Sequence, residues 1–409
     1  MPEGIAGRGD YVHVIWSDEY SPAHEGTFYA RSSDDGAHWS SPVLLDSLER
    51  AHDILTSGNS SVHLFEKILG NYCYYKRSTD DGATWLPEVV LSYGYVTTPA
   101  KNLGSCLHVA FQRNDSIFVR NSSDNGASWD SAKFVVWRDQ MVPASQHLAA
   151  DDSSRLHLCW TDRMGGHDET FYTRSTDNGA SWQSRVSLGD IGPYVVTGGQ
   201  NNVYVLTSYG GPGTMIRSTD GGLTWSESMS APWSLNTCSA NGWLHGVGHD
   251  EAKGAVEVKY GRSKDLGQTW DAFDVSDLDS VNSQWPHLAV SDSLVHIVWQ
   301  DFAPGNAEVY YRRGSLFMPG VLEEPRPLAK SLLVLHPQPA RTVLHVEGGP
   351  TTVSDLRVYN MCGRRIENVP WECRAGVVSV ALSTLRTGVY SAVLAGVRGK
   401  TSLRFVVCK

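Results

Sequence analysis

The sequence predicts an all-β chain assembled from repeated sheets, and two recurring patterns carry that prediction. The first is Ser-x-Asp-x-Gly-x-x-Trp, found six times, starting at Ser32, Ser78, Ser122, Ser175, Ser218 and Ser263, at intervals of 46, 44, 53, 43 and 45 residues. The second is a short apolar run with period-two alternation, found seven times: Val12 to Trp16, Val62 to Glu66, Leu107 to Phe111, Leu156 to Trp160, Val203 to Thr207, Leu244 to Gly248 and Val295 to Trp299.

Each unit resolves into four strands. A weaker run comes first, clearest in Pro286-His287-Leu288-Ala289-Val290 and Gln146-His147-Leu148-Ala149, and faint at Pro2 to Ala6. The apolar run is the second strand. A third strand such as Thr27-Phe28-Tyr29-Ala30-Arg31 leads into the Ser-x-Asp motif, and a fourth such as Val43-Leu44-Leu45 follows it. Four short antiparallel strands, repeated at this spacing, describe a β-propeller, which buries sheet faces between blades and avoids long exposed edges. Seven units give seven blades; six blades plus an irregular hairpin is the alternative. The last unit, ending at Tyr310-Tyr311-Arg312-Arg313-Gly314, lacks the motif, and its fourth strand is expected at about Leu316 to Leu322. The chain begins inside or just before a first strand, so an upstream piece carrying any export signal is expected.

Composition sets the class. With 409 residues, 41% of them apolar, and 14 Trp, there is ample material for packed cores. From Ser331 onward ten Lys/Arg face four Asp/Glu, a net +6, which leaves 24 against 40, a net −16, on the rest. That asymmetry marks a domain boundary. It also argues against nucleic acid, whose binding needs a basic face. No apolar stretch is long enough for a helical membrane span. The seven cysteines (73, 106, 159, 238, 362, 373 and 408) form no CxxC pair, so they read as small buried apolar residues and no metal site or cofactor is expected.

The motif has a physical logic: a short carboxylate accepts backbone N–H groups inside a tight turn, Gly supplies φ > 0, and Trp packs between sheets. Residues 1–314 resemble the Asp-box, or bacterial neuraminidase repeat, proteins of the sialidase-like superfamily. That resemblance implies structural roles for Asp34, Asp80, Asp124, Asp177, Asp220 and Asp265, on the face opposite any substrate.

The chain divides into a propeller at residues 1–318, a Pro-rich linker at 319–330 and a small β-sandwich at 331–409, where strands and Gly turns alternate. Its order of Pro337-Gln338-Pro339-Ala340, then Tyr359-Asn360-Met361-Cys362-Gly363-Arg364, then Leu385-Arg386-Thr387-Gly388-Val389-Tyr390 is similar to the C-terminal sorting domain of the type IX secretion system of Bacteroidetes-like bacteria. Gln338 stands where that family usually has Asn. The resemblance implies passage across the outer membrane, with the type IX machinery as a partner of residues 331–409 and a secreted or cell-surface location.

Because the units align, a residue that recurs in them reads as architecture and one that deviates is a candidate for function. His recurs in the second strand (His13, His63, His108, His157, His245, His296) and Arg just before the motif (Arg31, Arg77, Arg174, Arg217, Arg262, with Arg313 in the last unit). Both read as packing, the arginines with their heads on turn carbonyls. Antiparallel alternation puts the motifs on one face of the propeller. The loops between second and third strands, and the connections between units, lie on the other. Function is therefore sought on that second face.

Asp18, Asp162, Asp250 and Asp301 share one register at the end of the second strand, and solvated or turn-capping aspartates are the preferred reading over a ring of carboxylates. Candidates for acid chemistry are Asp18, Asp162, Asp168 and Glu169. Candidates for sugar contact are Trp137, Arg138, Arg163 and Trp285, with Trp233 in an equivalent connection, since an apolar platform beside polar groups suits a carbohydrate. A sialidase needs three arginines on a carboxylate, a Tyr–Glu nucleophile and an acid/base Asp. The family's Arg-Ile-Pro signature is absent, Arg113, Arg138 and Arg163 are the only arginines placed near the proper face, and no Tyr–Glu pair is apparent. The expected function is recognition of a glycan or another surface polymer without hydrolysis; a glycoside hydrolase and a protein-interaction propeller are the alternatives.

Overall fold

The computed structural model describes the chain apart from residues 19–25, 47–49, 59, 68–71, 97–98, 102–104, 139–145, 152, 165–166, 208–212, 233–235, 241, 253–254, 277–280, 303–306, 317–325, 328–333, 337–342, 348–352, 361–363, 375–376, 397–398 and 408–409. It divides into two compact units, Met1–Leu328 and Ala329–Lys409.

Among the described residues the first unit holds seven antiparallel sheets, each built from one contiguous stretch of chain: 2–46, 50–93, 95–137, 146–187, 194–231, 236–274 and 283–327, numbered 1 to 7 below. In every sheet the strand order follows the chain, and sheet 3 carries an extra strand, Tyr95–Val96. First strands pack on one another from sheet 3 through sheet 7, from sheet 7 to sheet 1 and from sheet 1 to sheet 2, and sheets 2 and 3 meet through a shared core and the contact of Tyr72–Ser78 with Tyr95–Val96. The first strands therefore surround a central channel, and the ring is closed. This is a β-propeller.

The apolar cores lie between sheets. One groups Ile15, Tyr29, Ile54, Val62 and Leu64 of sheets 1 and 2, with Trp85 packed against it; another groups Ala110, Ile117, Leu156, Leu158, Trp160 and Phe171 of sheets 3 and 4. Period-two alternation exposes two apolar faces on each sheet, and each neighbour covers one.

The recurring residues join sheet to sheet. His13, His63, His157, His245 and His296 place Nδ1 2.7–2.8 Å from the hydroxyl of Tyr29, Tyr75, Tyr172, Tyr260 and Tyr311, one strand away. Four of these tyrosines take the edge of a Trp from the next turn motif: Tyr29 from Trp85, Tyr75 from Trp129, Tyr172 from Trp225 and Tyr311 from Trp39, with centroids 4.9–5.2 Å apart. The recurring arginines reach the same turns. Arg31 Nη1 donates to the carbonyl of Asp81 (2.8 Å), Arg77 to that of Asn125 (3.1 Å), Arg174 to that of Gly221 and Arg313 to that of Asp35 (2.7 Å). The expected carbonyl contacts are present, and each crosses to the neighbouring sheet.

Each turn is held from within. The Ser hydroxyl donates to the Asp carboxylate and accepts the Gly N–H at 2.8 Å, as at Ser32 and Gly36. The carboxylate also takes the N–H four residues on, as from Thr84 to Asp80 at 2.8 Å. These bonds hold Asp80, Asp124, Asp177 and Asp265 down to about 2, and Asp34 and Asp220 lower still.

Sheet 7 departs from expectation. Its fourth strand is Arg326–Pro327, paired with Tyr310 and Tyr311, within the stretch read as linker and beyond 316–322. A Pro fits there because an outer edge asks for no second set of N–H donors.

The second unit contains two four-stranded sheets, one with strands Val334–His336, Val343–Glu347, Trp371–Arg374 and Val377–Ala381, the other with Val353–Asn360, Arg365–Ile366, Gly388–Gly396 and Gly399–Val407. Leu344, Val378 and Val380 of one and Leu356, Val358 and Ala392 of the other share a core. Asn360 Oδ1 accepts the Arg364 N–H at 3.0 Å, and Tyr390 donates to the Arg386 carbonyl at 3.0 Å. Cys73 and Cys159 are buried, and Cys106, Cys238 and Cys373 half-buried, all as free thiols; Cys362 and Cys408 lie outside the described residues.

Candidate functional site

The hairpin Leu156–Met164 and His167–Ser175 of sheet 4 pairs Asp162 with Glu169, and Arg163 with Asp168. Directly opposed residues share a face and adjacent residues take opposite faces. Asp162 and Glu169 therefore lie with Trp160 and Phe171, on the side packed against sheet 3. Arg163 and Asp168 lie with Cys159 and Tyr172, on the side of sheet 5. They face solvent, 3.9 Å apart. Four candidates adjacent in sequence are thus divided between two sides of one sheet.

On the sheet 3 side a cleft is built around Arg138. It follows the strand Lys133–Trp137 and is buried. Its Nη1 donates to Gln112 Oε1 (2.6 Å) and its Nη2 to the Thr161 carbonyl (2.5 Å), which clamps sheet 3 to sheet 4. Burial lowers the affinity of this guanidinium for its proton, and the charges of Asp162 and Asp115 oppose that. Asp162 itself is fully buried, accepts the Arg163 N–H at 3.2 Å, and lies 4.0 Å from Arg185 Nη1. Glu169 accepts the Ser187 hydroxyl.

Arg185 completes the cleft. Its guanidinium lies over the Phe171 ring at 4.8 Å, and its Nη1 donates to the Trp137 carbonyl at 3.5 Å. Sequence reasoning passed over it, although the signal was there: three residues after the motif Trp, only sheet 4 has an Arg. Trp137 gives the cleft only its carbonyl: its ring, 67% exposed and 5.6 Å from that of Phe134, lies on the sheet 2 side of sheet 3 with Phe118.

The remaining candidates lie elsewhere. Arg113 stacks at 4.6 Å on Phe118, on the sheet 2 side of sheet 3, so Arg113, Arg138 and Arg163 face three different gaps. Residues two apart share a side and residues one apart do not, which is why nearness in the loops did not become convergence. Of the four aspartates in one register, Asp162 and Asp301 are buried, and Asp301 accepts Ser283 Oγ (2.9 Å) and Trp299 Nε1 (3.0 Å). Solvated capping groups were expected; Asp250 alone is shown exposed. The side chain of Asp18 and the whole of Trp233 lie outside the described residues. Trp285 belongs to the first strand of sheet 7, far in register from the cleft, and is 46% exposed. Among the described residues no three His, Cys, Asp or Glu side chains gather as a metal site would require.

No family model matches the chain, and no curated protein matches it in sequence. Solved structures do. A lectin from Burkholderia pseudomallei superposes with a TM-score of 0.57 at 11% identity, over 80% of this chain and 100% of its own. An ulvan lyase, a polysaccharide lyase, gives 0.50 at 9% identity over 72% and 88%. A Hadza microbial sialidase gives 0.47 at 14% identity over 71% and 74%. What the lectin and the lyase share with this chain is the fold.

Proposed function

We propose that the propeller recognises a glycan at the cleft between sheets 3 and 4 and does not hydrolyse it. The observation that carries this reading is Arg185, one-third exposed, whose guanidinium lies over Phe171 in a cleft whose carboxylates are already engaged. Arg185 offers donors to hydroxyls or an acidic substituent. Asp162 is fully buried, with its oxygens engaged by the Arg163 N–H and the Arg185 guanidinium. A glycosidase needs one carboxyl free to give up a proton.

The hydrolase reading keeps one supporting observation. Asp162 and Glu169 are directly opposed on one face, with Cβ atoms about 5 Å apart, and two neighbouring carboxyl groups are what a retaining glycosidase uses. A glycan array run with residues 1–328, beside a hydrolysis screen on sialosides and mixed glycosides, separates the two. Binding without turnover, lost in Arg185→Ala, supports recognition. Turnover abolished by Asp162→Asn or Glu169→Gln overturns it, and silence in both assays points to a protein partner.

The second unit is, in the same proposal, a type IX sorting domain, and the protein is secreted or held at the outer cell surface. The motif order in 337–390 supports this. Deleting 331–409 in the producing bacterium then leaves the propeller in the periplasm; export without that segment overturns the assignment.

A further inference from the structure

The register of the first strands reveals a ring that no single unit shows. In each sheet the second-strand His, or Tyr204 in sheet 5, fixes a common level, and the residue two positions later pairs with one residue of the first strand. Those partners are Gly4 (opposite Ile15), Asp53 (Phe65), His147 (Cys159), Tyr194 (Leu206), Asn236 (Val247) and His287 (Val298). Six sheets thus carry one residue each at the same level of the strands that surround the channel, Tyr194 lying beside the core between sheets 5 and 6; the equivalent residue of sheet 3 lies outside the described residues. Five of the six are polar, all five are half-buried, and no two neighbours are alike.

Such variety is the opposite of what the architectural positions show. Where packing decides, His, Tyr, Arg and Trp recur from sheet to sheet; at this level the same backbone position carries Gly, Asp, His, Tyr, Asn and His. The side chains also form a connected arc. The His147 and Tyr194 rings have centroids 4.1 Å apart, the Tyr194 hydroxyl donates to the Thr237 carbonyl at 3.4 Å, and Asn236 Nδ2 lies 3.3 Å from His287 Nδ1. Asp53, from the other side of the ring, acts electrostatically on Tyr194. Gly4 leaves room beside it, since a Cβ there would lie 3.5 Å from Asp53 Oδ1.

The level lies near the start of each first strand, on the face opposite the turn motifs. At that mouth stands Trp285, in a bulge that shifts the register between Gln284 and His287. Its φ is +55°, a conformation that bulky side chains rarely hold, and its ring is exposed. An aromatic platform over a ring of neutral donors and acceptors has the make-up of a pyranose site. The described ring residues include no Arg or Lys, so the fit is to a neutral sugar and not to an acidic one. Burial holds Asp53 up at about 7, so that its carboxyl can donate as well as accept near neutrality.

We propose that the mouth of the central channel is a second binding site, for one neutral pyranose residue, formed by Trp285 with Asp53, His147, Tyr194, Asn236 and His287. This deepens the glycan reading, rests on it, and is distinct from the cleft at Arg185.

The test is a glycan array with neutral and acidic oligosaccharides probed by the wild-type full chain and by Trp285→Ala, Asn236→Ala, Tyr194→Phe and Arg185→Ala, each checked for an unchanged melting profile. Neutral ligands should weaken about tenfold or more in Trp285→Ala and Asn236→Ala, the equivalent of about 1.4 kcal/mol, and several-fold in Tyr194→Phe, while Arg185→Ala leaves them unaffected. Glycan binding that depends on Arg185 and is indifferent to Trp285, Asn236 and Tyr194 overturns the channel site and leaves the cleft reading standing. Absence of any glycan binding overturns both.

Discussion

Tyr311, in the last sheet, places its hydroxyl 3.5 Å from the carbonyl of Asp35 in the first, across 276 residues of chain. The same turn receives Arg313 Nη1 and sets Trp39 edge-on to the Tyr311 ring. The arginine and tryptophan contacts repeat ones made between earlier neighbours in the ring. The propeller thus closes without sharing a sheet between its two ends. Closure rests on side chains gripping a turn, and the fitness of that turn decides whether the ring holds.

Gly36 is the weak point of that grip. Its φ is +77°, and a Cβ there would overlap the Tyr311 hydroxyl. Gly36→Ala should cost about 2–4 kcal/mol from strain and displacement together. Gly9 also has positive φ, at +52°, but a Cβ there meets nothing within 4 Å, so Gly9→Ala should cost only about 1 kcal/mol. Urea midpoints of the two variants check this, and equal losses would remove the tyrosine contact from the explanation.

The buried histidines make the propeller acid-labile. Burial lowers His13 and His296 to about 3 and His245 to about 4. The unfolded chain takes up these protons near pH 6.5 while the folded chain refuses them, so stability is complete above about 6.5 and falls as pH drops below it. At pH 5 each of the three costs about 2 kcal/mol. Asp53, raised by burial to about 7, works in the opposite sense, since the folded state holds its proton below that pH. Three histidines outweigh one carboxyl. The melting temperature should fall steadily between pH 6.5 and 5, and His296→Gln should flatten the slope; a pH-independent melting temperature would contradict the model.

The turns were legible in the sequence because their bonds are local. Ser78, Asp80, Gly82 and Thr84 satisfy one another within seven residues, so the residue types alone betray the geometry. The second strands were legible for a similar reason, being buried on both sides. The channel ring was not. Asp53 and Tyr194 belong to first strands with no strong pattern of their own, and they become neighbours in level only through the register of separate sheets. Arg185 sits between: its position in the unit singles it out, yet its partners Trp137 and Asp162 come from a different sheet and a different strand. Arg326–Pro327, a two-residue strand, carried no pattern at all.

Arg138 and Arg185 should respond differently to removal. Arg138→Ala strips a buried clamp from Gln112 and the Thr161 carbonyl and leaves Asp162 with less compensation, a loss of about 3 kcal/mol or more. Arg185 is one-third exposed and its ion pair with Asp162 is long, at 4.0 Å, so Arg185→Ala should cost under about 1 kcal/mol. If the cleft binds a glycan, Arg185→Ala weakens that binding with the fold intact. Denaturation curves and binding isotherms on the same two variants separate the roles, and a stable Arg138→Ala protein would show that the clamp is dispensable.

Asp177 tests what the turn motif contributes by itself. Its carboxylate accepts the Ser181 N–H at 2.9 Å as well as the hydroxyls of Ser175 and Ser181, at 2.7 and 2.5 Å. The hydroxyl of Ser181, followed by its N–H, does most to hold this group down to about 2. Asn can keep the accepted N–H through its amide oxygen but not both hydroxyls, whereas Ala keeps none. By analogy with helix caps, Asp177→Ala should cost about 1–2 kcal/mol and Asp177→Asn roughly half as much. Because the folded carboxyl has the lower pKa, its stabilising contribution is present above about 3.9 and is lost as pH falls toward 2. The gap between wild type and Asp177→Ala should therefore narrow from pH 5 to pH 2.5 in urea titrations. A gap that stays constant over that range would mean that the charge of Asp177 does not matter, and that shape alone holds the turn.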